Sequence, residues 1–424
     1  MPSKLTASVI GLGYVGLPML HLLSKRGIKA YGFDIDNSKI EMLKTGASYI
    51  SDIKSEQLKV INKDNLYNMD NLEMIKTSNY LIICLPTPFT KKKPDISRIK
   101  YAFKKITPFL KKNQTIILES TVYPGATIDI FYSQLSKKFQ IGKNFFLCYS
   151  PERLSPGQTN KRIFKFFLEN TPKVISGYNL KSLNKVNLLY KKIFTKLCKA
   201  DSLEIAEMSK LVENSYRSVN IGLVNELKVV CKKLKLDINK IIETAGTKPF
   251  GYNKFYPGPG VGGHCIPIDP LFLNWIANRN GAKSKFINLA RLTNVRITNW
   301  VIDQIFKESP QLKSLKISRK ILIIGLAYKA DVNDTRESPS LKIFKTLKYH
   351  NNIVDYHDEK IPKIKILNKY INSVSLDKIK KYDCVIIATD HSNLKKNFIF
   401  KNAKKIFDTR GVYSKNNNKK LIKL

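Results

Sequence analysis

The run Tyr256-Pro-Gly-Pro-Gly-Val-Gly-Gly-His-Cys-Ile-Pro-Ile-Asp-Pro270 carries the residue types for covalent chemistry. Cys265 offers a thiol, and Asp269 a carboxylate four residues on. A thiolate is an intrinsically strong nucleophile toward carbonyl carbon. Gly258, Gly260, Gly262 and Gly263 admit backbone shapes closed to other residues, while Pro257, Pro259, Pro267 and Pro270 stiffen the same run. The result is a shaped loop, not a floppy one. A lone cysteine is more often a small buried hydrophobe beside a turn. On this loop the nucleophile is the better reading. His264 is read as a loop residue, because adjacent side chains point apart.

The elements that must position this loop read as alternating strands and helices. Leu5–Ile10 is an apolar run, read as a first strand. Gly11-x-Gly13-x-x-Gly16 follows, then a helix over Leu17–Arg26 and a second strand over Lys29–Phe33, ending in Asp34. Strand, glycine turn, helix, strand and acid make the complete dinucleotide fingerprint. The glycines let a pyrophosphate sit at the helix N-terminus, with Asp34 on the ribose hydroxyls. An acid at this position disfavours a ribose phosphate, so NAD is expected rather than NADP. Lys39 can touch the adenosine side.

Tyr80-LIICLP, Thr115-IILESTVYPG and Phe145-FLCYSPER keep the rhythm of a parallel sheet. They end in Thr87, in Glu119-Ser-Thr121 and in Glu152-Arg153. Ligands of open parallel sheets bind beyond the carboxyl ends of the strands. A helix N-cap is the plain alternative for any one of these residues. Asp201 to Lys235 is broken only by Gly222, and its apolar spacing predicts one helix of about thirty residues. Asp201 and Glu204 read as its capping box. Lys210 and Asn214 lie one turn apart on one face of it. A second long helix is expected over Ile287–Lys307, and two such helices suggest a linking layer and a dimer interface. After a polar linker, Glu308–Arg319, the strand–turn–helix signal returns at Lys320-ILIIGLAYKADVNDTRESPSLKIF with a single motif glycine, Gly325. Strands at Ile353-VDYHD, Tyr382-DCVIIATDH and Ile406-FDTRG complete a smaller sheet. The tail Ser414–Leu424 is expected to be mobile.

The fold class is therefore α/β: two Rossmann-like parallel-sheet domains joined by a central helical segment. The expected boundaries are 1–199 for a dinucleotide domain, 200–307 for the helical segment with the Cys265 loop, and 308–424 for a second Rossmann-like domain.

The formal charge of +41 invites a nucleic-acid reading. The lysines, however, are spread along the whole chain. Only 11 residues are arginine, and Arg153, Arg217, Arg336 and Arg410 all fall inside motifs. Arginine's planar fork is hard to replace where a phosphate or carboxylate is gripped. The six cysteines show no paired spacing, so free thiols in a reducing cytoplasm are expected, and no metal. No apolar stretch of roughly 18 residues predicts a membrane span. MPSKLTASVIGLG shows no leader pattern.

PGPGVGGHCIPIDP resembles the active-site loop of the nucleotide-sugar 6-dehydrogenases, the UDP-glucose/GDP-mannose dehydrogenase family. LPTP, ESTVYPG, SPER, MSKLVENSYRSVN, GLAYKADVNDTRESP and DTRG match it too, so the resemblance runs from Gly11 to Arg410. It is closest to the branch that oxidises UDP-N-acetylhexosamines, UDP-N-acetylglucosamine above all. The resemblance implies a four-electron oxidation of a primary alcohol to a carboxylate with two NAD molecules used in turn. Cys265 would carry first a thiohemiacetal and then a thioester. Lys210 and Asn214 would stabilise the oxyanions, Asp269 and Thr121 order or activate water, and Glu152 act as base in hydrolysis. By the same resemblance Gly11, Gly13, Tyr14, Val15, Gly16, Asp34, Lys39, Thr87, Thr121 and Arg336 bind the cofactor. Glu152, Arg153, Lys210, Asn214, Arg217, Phe255, Tyr256, Gly258, Gly262, Lys329 and Arg410 bind the UDP-sugar. A cytoplasmic homodimer serving surface polysaccharide synthesis is implied, with neither nucleic acid nor membrane as partner.

Three alternatives stay open. The sugar nucleotide could be UDP-glucose, UDP-N-acetylmannosamine or GDP-mannose; Ile266-Pro267 and the Lys248-Pro-Phe-Gly251 string favour the gluco- or galacto-configured N-acetyl sugar. The chain could be a basic nucleic-acid-binding factor. It could also be a two-electron dehydrogenase that never uses its cysteine.

Overall fold

The computed structural model describes residues 5–50, 53–153, 170–414, 416 and 418–424. Two compact units divide the chain: residues up to Glu213 with Leu271–Lys283, and Asn214–Pro270 with Ser284–Leu424.

The first unit is built on an eight-stranded sheet. Its strands are β1 (Thr6–Ile10), β2 (Lys29–Asp34), β3 (Leu66–Asn68), β4 (Tyr80–Ile83), β7 (Thr115–Leu118), β8 (Phe146–Tyr149), β9 (Lys173–Gly177) and β10 (Leu197–Lys199). Two further strands, β5 (Phe89–Thr90) and β6 (Lys93–Pro94), form a small hairpin. The order across the sheet is β10-β9-β8-β7-β4-β1-β2-β3. Helices α1 (Gly16–Lys25), α2 (Asn37–Thr45), α3 (Ser97–Ile106), α4 (Ala126–Leu135) and α5 (Leu180–Tyr190) connect the strands. β4, β7 and β8 are buried at every residue. Their apolar runs are continuous because both faces are covered. Tyr80 and Ile82 join one apolar cluster with α1 and α5, while Leu81 and Ile83 join another with α3 and α4.

The pairing is parallel except at β8 and β9, which run antiparallel. β9 and β10 were not expected from the sequence, because they are short and carry lysines. The reversal has a local effect. Cys148 pairs with Gly177 and Tyr149 with Ser176, so the continued register sets Lys173 beside Glu152.

In the second unit, α6 (Leu203–Lys233) is a single helix of 31 residues, its turns up to Glu213 counting with the first unit. Ser202 caps it, accepting from Ile205 N at 3.2 Å, so the expected Asp201–Glu204 capping box is corrected by one residue. Then come α7 (Ile238–Ala245) and α9 (Lys285–Glu308), while α8 (Asp269–Arg279), between them in the chain, counts with the first unit from Leu271 on. α6 and α9 approach closely: a Cβ on Gly222 would lie 3.0 Å from Ala290 O. Asn225 Nδ2 donates to Asn294 Oδ1 at 2.9 Å across the same seam. The second sheet has the order β12 (Ile353–His357), β11 (Lys320–Ile324), β15 (Cys384–Ile387), β16 (Ile406–Asp408), β17 (Leu421–Lys423), all parallel. A hairpin, β13 (Lys363–Ile366) and β14 (Lys369–Asn372), and helices α10 (Pro339–Tyr349) and α11 (Lys396–Asn402) complete the unit. β17 overturns the expected mobile tail. Its backbone is tied to β16, and Lys232 Nζ donates to Lys423 O at 2.9 Å. Part of the expected linker is ordered as well: α9 runs to Glu308, and a 3-10 turn spans Pro310–Lys313.

The turn between β1 and α1 depends on one close approach. A Cβ on Gly16 would sit 1.8 Å from the Gly11 carbonyl oxygen, which is backbone and cannot give way. Gly16→Ala is expected to cost about 3 kcal/mol or more of stability, the upper range for overpacking. Denaturant unfolding checks this, and a wild-type midpoint would refute the packing argument.

Candidate active site

In the first unit the glycine turn leaves room for a ligand. Gly11 has a φ of +91° and packs against Cys84 O. Gly13, by contrast, would meet nothing within 4 Å if given a Cβ. Tyr14 and Val15 lead into α1, whose N-terminus has no side-chain cap. Backbone N–H groups at such an end suit a phosphate. Asp34 ends β2 and is 5% exposed. Leu12 N donates to its Oδ2 at 2.8 Å, Asp36 N to its Oδ1 at 2.9 Å, and Lys39 Nζ lies 3.3 Å from Oδ2. These contacts fix the carboxylate beside the open glycine. Tyr49 was missed by the sequence reading: its hydroxyl donates to Leu12 O at 2.5 Å, and burial pushes the phenol well above its ordinary pKa. An acid, an open glycine and an uncapped helix end together fit the adenosine diphosphate part of NAD.

Past β4, Thr87 Oγ1 donates to Thr121 O at 2.6 Å, and Leu85 N donates to Ser120 Oγ at 2.9 Å. The two loops are thereby tied to each other. Glu207 of α6 holds the second loop's end, accepting from Gly125 N at 2.6 Å, Thr127 N at 2.9 Å and Thr127 Oγ1 at 2.5 Å. Burial raises its carboxyl to about 7, against those three donors. Sequence reading missed Glu207, which looks like any helical glutamate.

Beyond β7 and β8 lies a buried charge cluster. Lys173 Nζ is 2.8 Å from Glu119 Oε2 and 3.5 Å from Glu152 Oε2, and it donates to Pro151 O at 3.2 Å. Tyr190 OH donates to Glu119 Oε1. Burial works against the Lys173 ammonium, but the two carboxylates outweigh it and its pKa is raised. Arg153 is spent on protein: Nη2 lies 2.6 Å from Glu213, and Nη1 donates to Pro172 O at 2.8 Å. Lys210, on α6, is 7% exposed and has no ion pair among the described residues.

In the second unit the glycine loop is pressed against β11's following turn and α10. Gly263 has a φ of +86°, donates its N–H to Arg336 O at 2.8 Å, and leaves a Cβ no room beside the Tyr328 ring. Gly262 faces Glu337 O, and Gly258 faces the Arg410 guanidinium. A side chain at Gly262 or Gly263 would displace the loop, while one at Gly258 would have to push the Arg410 guanidinium aside. Asp269 N and Ile268 N both donate to Cys265 O, at 2.8 and 3.1 Å, which winds the chain directly into α8. Cys265 is the one exposed thiol of the six; Cys198 is half-buried and the others are buried. Asn214 Nδ2 donates to Asp269 Oδ2 at 2.5 Å, with both residues at most 3% exposed. The helix residue and the loop carboxylate named from sequence thus meet.

Tyr328 is a further residue the sequence reading passed over. Its phenol is pushed up to about 12 by burial, by Asp334 and by Cys265, with Arg336 and Arg217 pulling the other way. Arg336 makes a forked pair with Asp334, Nη2 to Oδ2 at 2.6 Å and Nε to Oδ1 at 3.0 Å. Arg410 Nε donates to Ala388 O at 2.7 Å, and Lys228 Nζ to Thr409 O at 3.2 Å. Lys329 is half-buried. Phe255 packs on the cluster of Val224, Cys231, Ile238 and Ile242, and Tyr256 OH is held by Glu243. Among the described residues no group of acidic, histidine or cysteine side chains could hold a metal, and no helix is long and apolar enough to cross a membrane.

Comparison with known proteins places this geometry in context. Residues 5–194 match the NAD binding domain of the UDP-glucose/GDP-mannose dehydrogenase family, residues 204–296 its central domain and residues 322–415 its UDP binding domain. The chain is 34% identical over 426 residues to a UDP-N-acetyl-D-mannosamine dehydrogenase of Methanococcus vannielii, covering 96% of this chain and 93% of that one. It is 33% identical over 396 residues to a UDP-N-acetyl-D-glucosamine 6-dehydrogenase of Pseudomonas aeruginosa, covering 92% of each. The structure of UDP-D-ManNAc dehydrogenase from Pyrococcus horikoshii superposes with a TM-score of 0.83 at 29% identity, covering 96% of this chain and 95% of that one. A fingerprint turn, a cysteine loop and a second sheet matched along nearly the whole chain leave one assignment: this protein belongs to the UDP-glucose/GDP-mannose dehydrogenase family, as an NAD-dependent nucleotide-sugar dehydrogenase.

Proposed function

We propose that the chain oxidises the 6-hydroxymethyl group of a UDP-N-acetylhexosamine, UDP-N-acetylglucosamine first, to the uronic acid through a thioester on Cys265. The exposed thiol carries this reading: it is held on a loop that runs straight into Asp269 and thereby to Asn214. NAD, bound by the Gly11–Gly16 turn and Asp34, supplies the hydride acceptor for each of the two oxidations. Cys265 holds the aldehyde carbon covalently between them, so the aldehyde is not lost to solvent. Lys210 and Asn214 stabilise the oxyanion of each tetrahedral species. Asp269 orients Asn214 and, with Thr121, orders water; Glu152 takes the proton of the hydrolytic water. Arg217, Lys329 and Arg410 bind the anionic substrate, while Arg336 serves the cofactor.

Residues 1–199 would serve the dinucleotide, 200–307 carry the cysteine loop and a dimer face, and 308–424 hold the nucleotide. The exposed Val212, Tyr216, Leu223 and Leu227 of α6 support a homodimer. A cytoplasmic enzyme for surface polysaccharide precursors, with no nucleic-acid partner, completes the reading. UDP-N-acetylmannosamine is the second candidate, because relatives named for it are as similar as those named for the gluco epimer. Purified protein with NAD and a panel of nucleotide sugars tests the function. Two NADH per UDP-N-acetylglucosamine are expected; one NADH, or none with any member, refutes it.

Cys265→Ala should abolish acid formation while NAD affinity stays within about twofold, since the thiol takes part in chemistry alone. Two NADH per sugar at a normal rate in this variant would remove the thioester. Lys210→Ala should lower kcat by about a hundredfold or more with little change in KM, the pattern of a contact made in the transition state. A defect confined to KM would make Lys210 a ground-state binder.

A further inference from the structure

Lys228 is buried in the second unit and has no role in the proposed reaction. It follows Asn225 by one turn of α6, and Asn225 Oδ1 accepts Gly258 N at 3.0 Å. The two side chains share a helix face, the one turned to the glycine loop. Lys228 is 3% exposed. Its ammonium donates to Thr409 O at 3.2 Å and lies 6.0 Å from the centre of the Trp300 ring. An ammonium has three donors, and the other two meet no acceptor among the described residues. Arg410, the residue after Thr409, spends its Nε on Ala388 O, and a Cβ on Gly258 would lie 2.5 Å from its Nη1. Neither cation has an ion pair among the described residues. The carboxylate that acts on Lys228, Asp408, is taken up by backbone: Arg410 N at 3.0 Å and Tyr413 N at 2.8 Å. Buried charges are ordinarily paired, and lone ones cost stability. Two adjoining cations without carboxylate partners, beside a glycine, suit an anion of more than one charge.

We propose that Lys228 is a second cation, beside Arg410, for the diphosphate of the nucleotide sugar. The inference rests on the nucleotide-sugar reading given above, and every residue it uses belongs to the second unit. Burial first, then Arg410 and Lys232, work against the Lys228 ammonium, with Asp408 pulling the other way; its pKa is lowered to about 7. At about pH 8 the free protein therefore holds Lys228 largely as the neutral amine. An anion set against it favours the ammonium. Binding at that pH moves one proton from solvent onto Nζ, and no covalent bond to the ligand forms. A group whose pKa rises on binding takes up a proton between its two values, so affinity for the diphosphate falls as pH climbs above about 7. Arg410 does not supply this linkage, because its guanidinium is charged on both sides of the equilibrium.

Calorimetric titration of the full-length protein with UDP, at about pH 8 in two buffers of different ionisation enthalpy, tests this. UDP is itself fully ionised there, since a terminal phosphate has a pKa of about 6. The wild type should take up about half a proton or more per UDP bound. Lys228→Met keeps the length of the side chain and removes its charge. It should bind UDP about tenfold more weakly at about pH 7, the loss of one charge-assisted contact, and take up no proton. Without UDP it should melt at or above the wild-type temperature, because a lone buried cation is gone. Lys228→Arg should keep the affinity, take up no proton, and lose the fall in affinity above about pH 7. Proton uptake that persists in either variant overturns the proposal. A lowered melting temperature with unchanged UDP binding in Lys228→Met overturns it as well, leaving the lysine a structural residue. Should the Met variant fail to fold, Lys228→Arg decides, and a wild-type pH dependence there refutes the idea. If the wild type binds no UDP, the nucleotide-sugar reading fails and this proposal with it. If UDP binds and a nucleotide sugar yields NADH, but uptake does not depend on Lys228, this proposal alone falls.

Discussion

Carboxylates at the ends of parallel strands gripping the backbone N–H groups of the loops beyond are the interaction on which this architecture depends. Asp34 after β2 takes Leu12 N and Asp36 N. Asp358, just past β12, takes Leu326 N and Ala327 N. Asp408 ends β16 and takes Arg410 N and Tyr413 N. Loops that must hold ligands cannot pair their N–H groups with one another, and unpaired buried donors are costly. An acid at the strand end resolves this, and each sheet uses it. At Asp358 burial opposes ionisation, yet His391 and the two N–H groups hold the carboxyl below its ordinary range.

The same principle separates the two sheets. Asp34 is beside a turn whose middle glycine is open, so there is space for a cofactor. Asp358 has His391 Nε2 at 3.2 Å, and Gly325 is packed on Thr389. The second turn is thus filled from within by protein. One fold, with the acid in the corresponding place, binds a dinucleotide in one case and is closed in the other.

How much of this was legible in the sequence follows the range of the interactions. The fingerprint over Gly11–Asp34 and the single helix through Lys210 and Asn214 are local, with their signals inside one stretch of chain. Both were read correctly as elements. The pairing of Asn214 with Asp269 was half-legible, since each was named but not their contact. Glu207, Lys173, Tyr190 and Tyr328 were invisible. Each is an ordinary residue in its own segment and acquires meaning from a partner far along the chain. β9 and β17 were missed because lysines interrupt their apolar pattern, and both are edge or near-edge strands that tolerate this. The lysine excess also obscured charge itself: a formal +41 says little of Lys173 or Lys228, each buried against named neighbours.

The unequal burial of the six cysteines has a consequence of its own. Burial pushes the thiols of Cys84, Cys148 and Cys384 upward in pKa, the last to about 12, so they stay protonated and shielded. Cys265 alone stands at the surface. Toward soft electrophiles and peroxides Cys265 is therefore the most accessible of the six thiols, ahead of the half-buried Cys198. A reagent that cannot enter the core meets Cys265 first, so under the thioester route proposed above one oxidised sulfur would silence the chain.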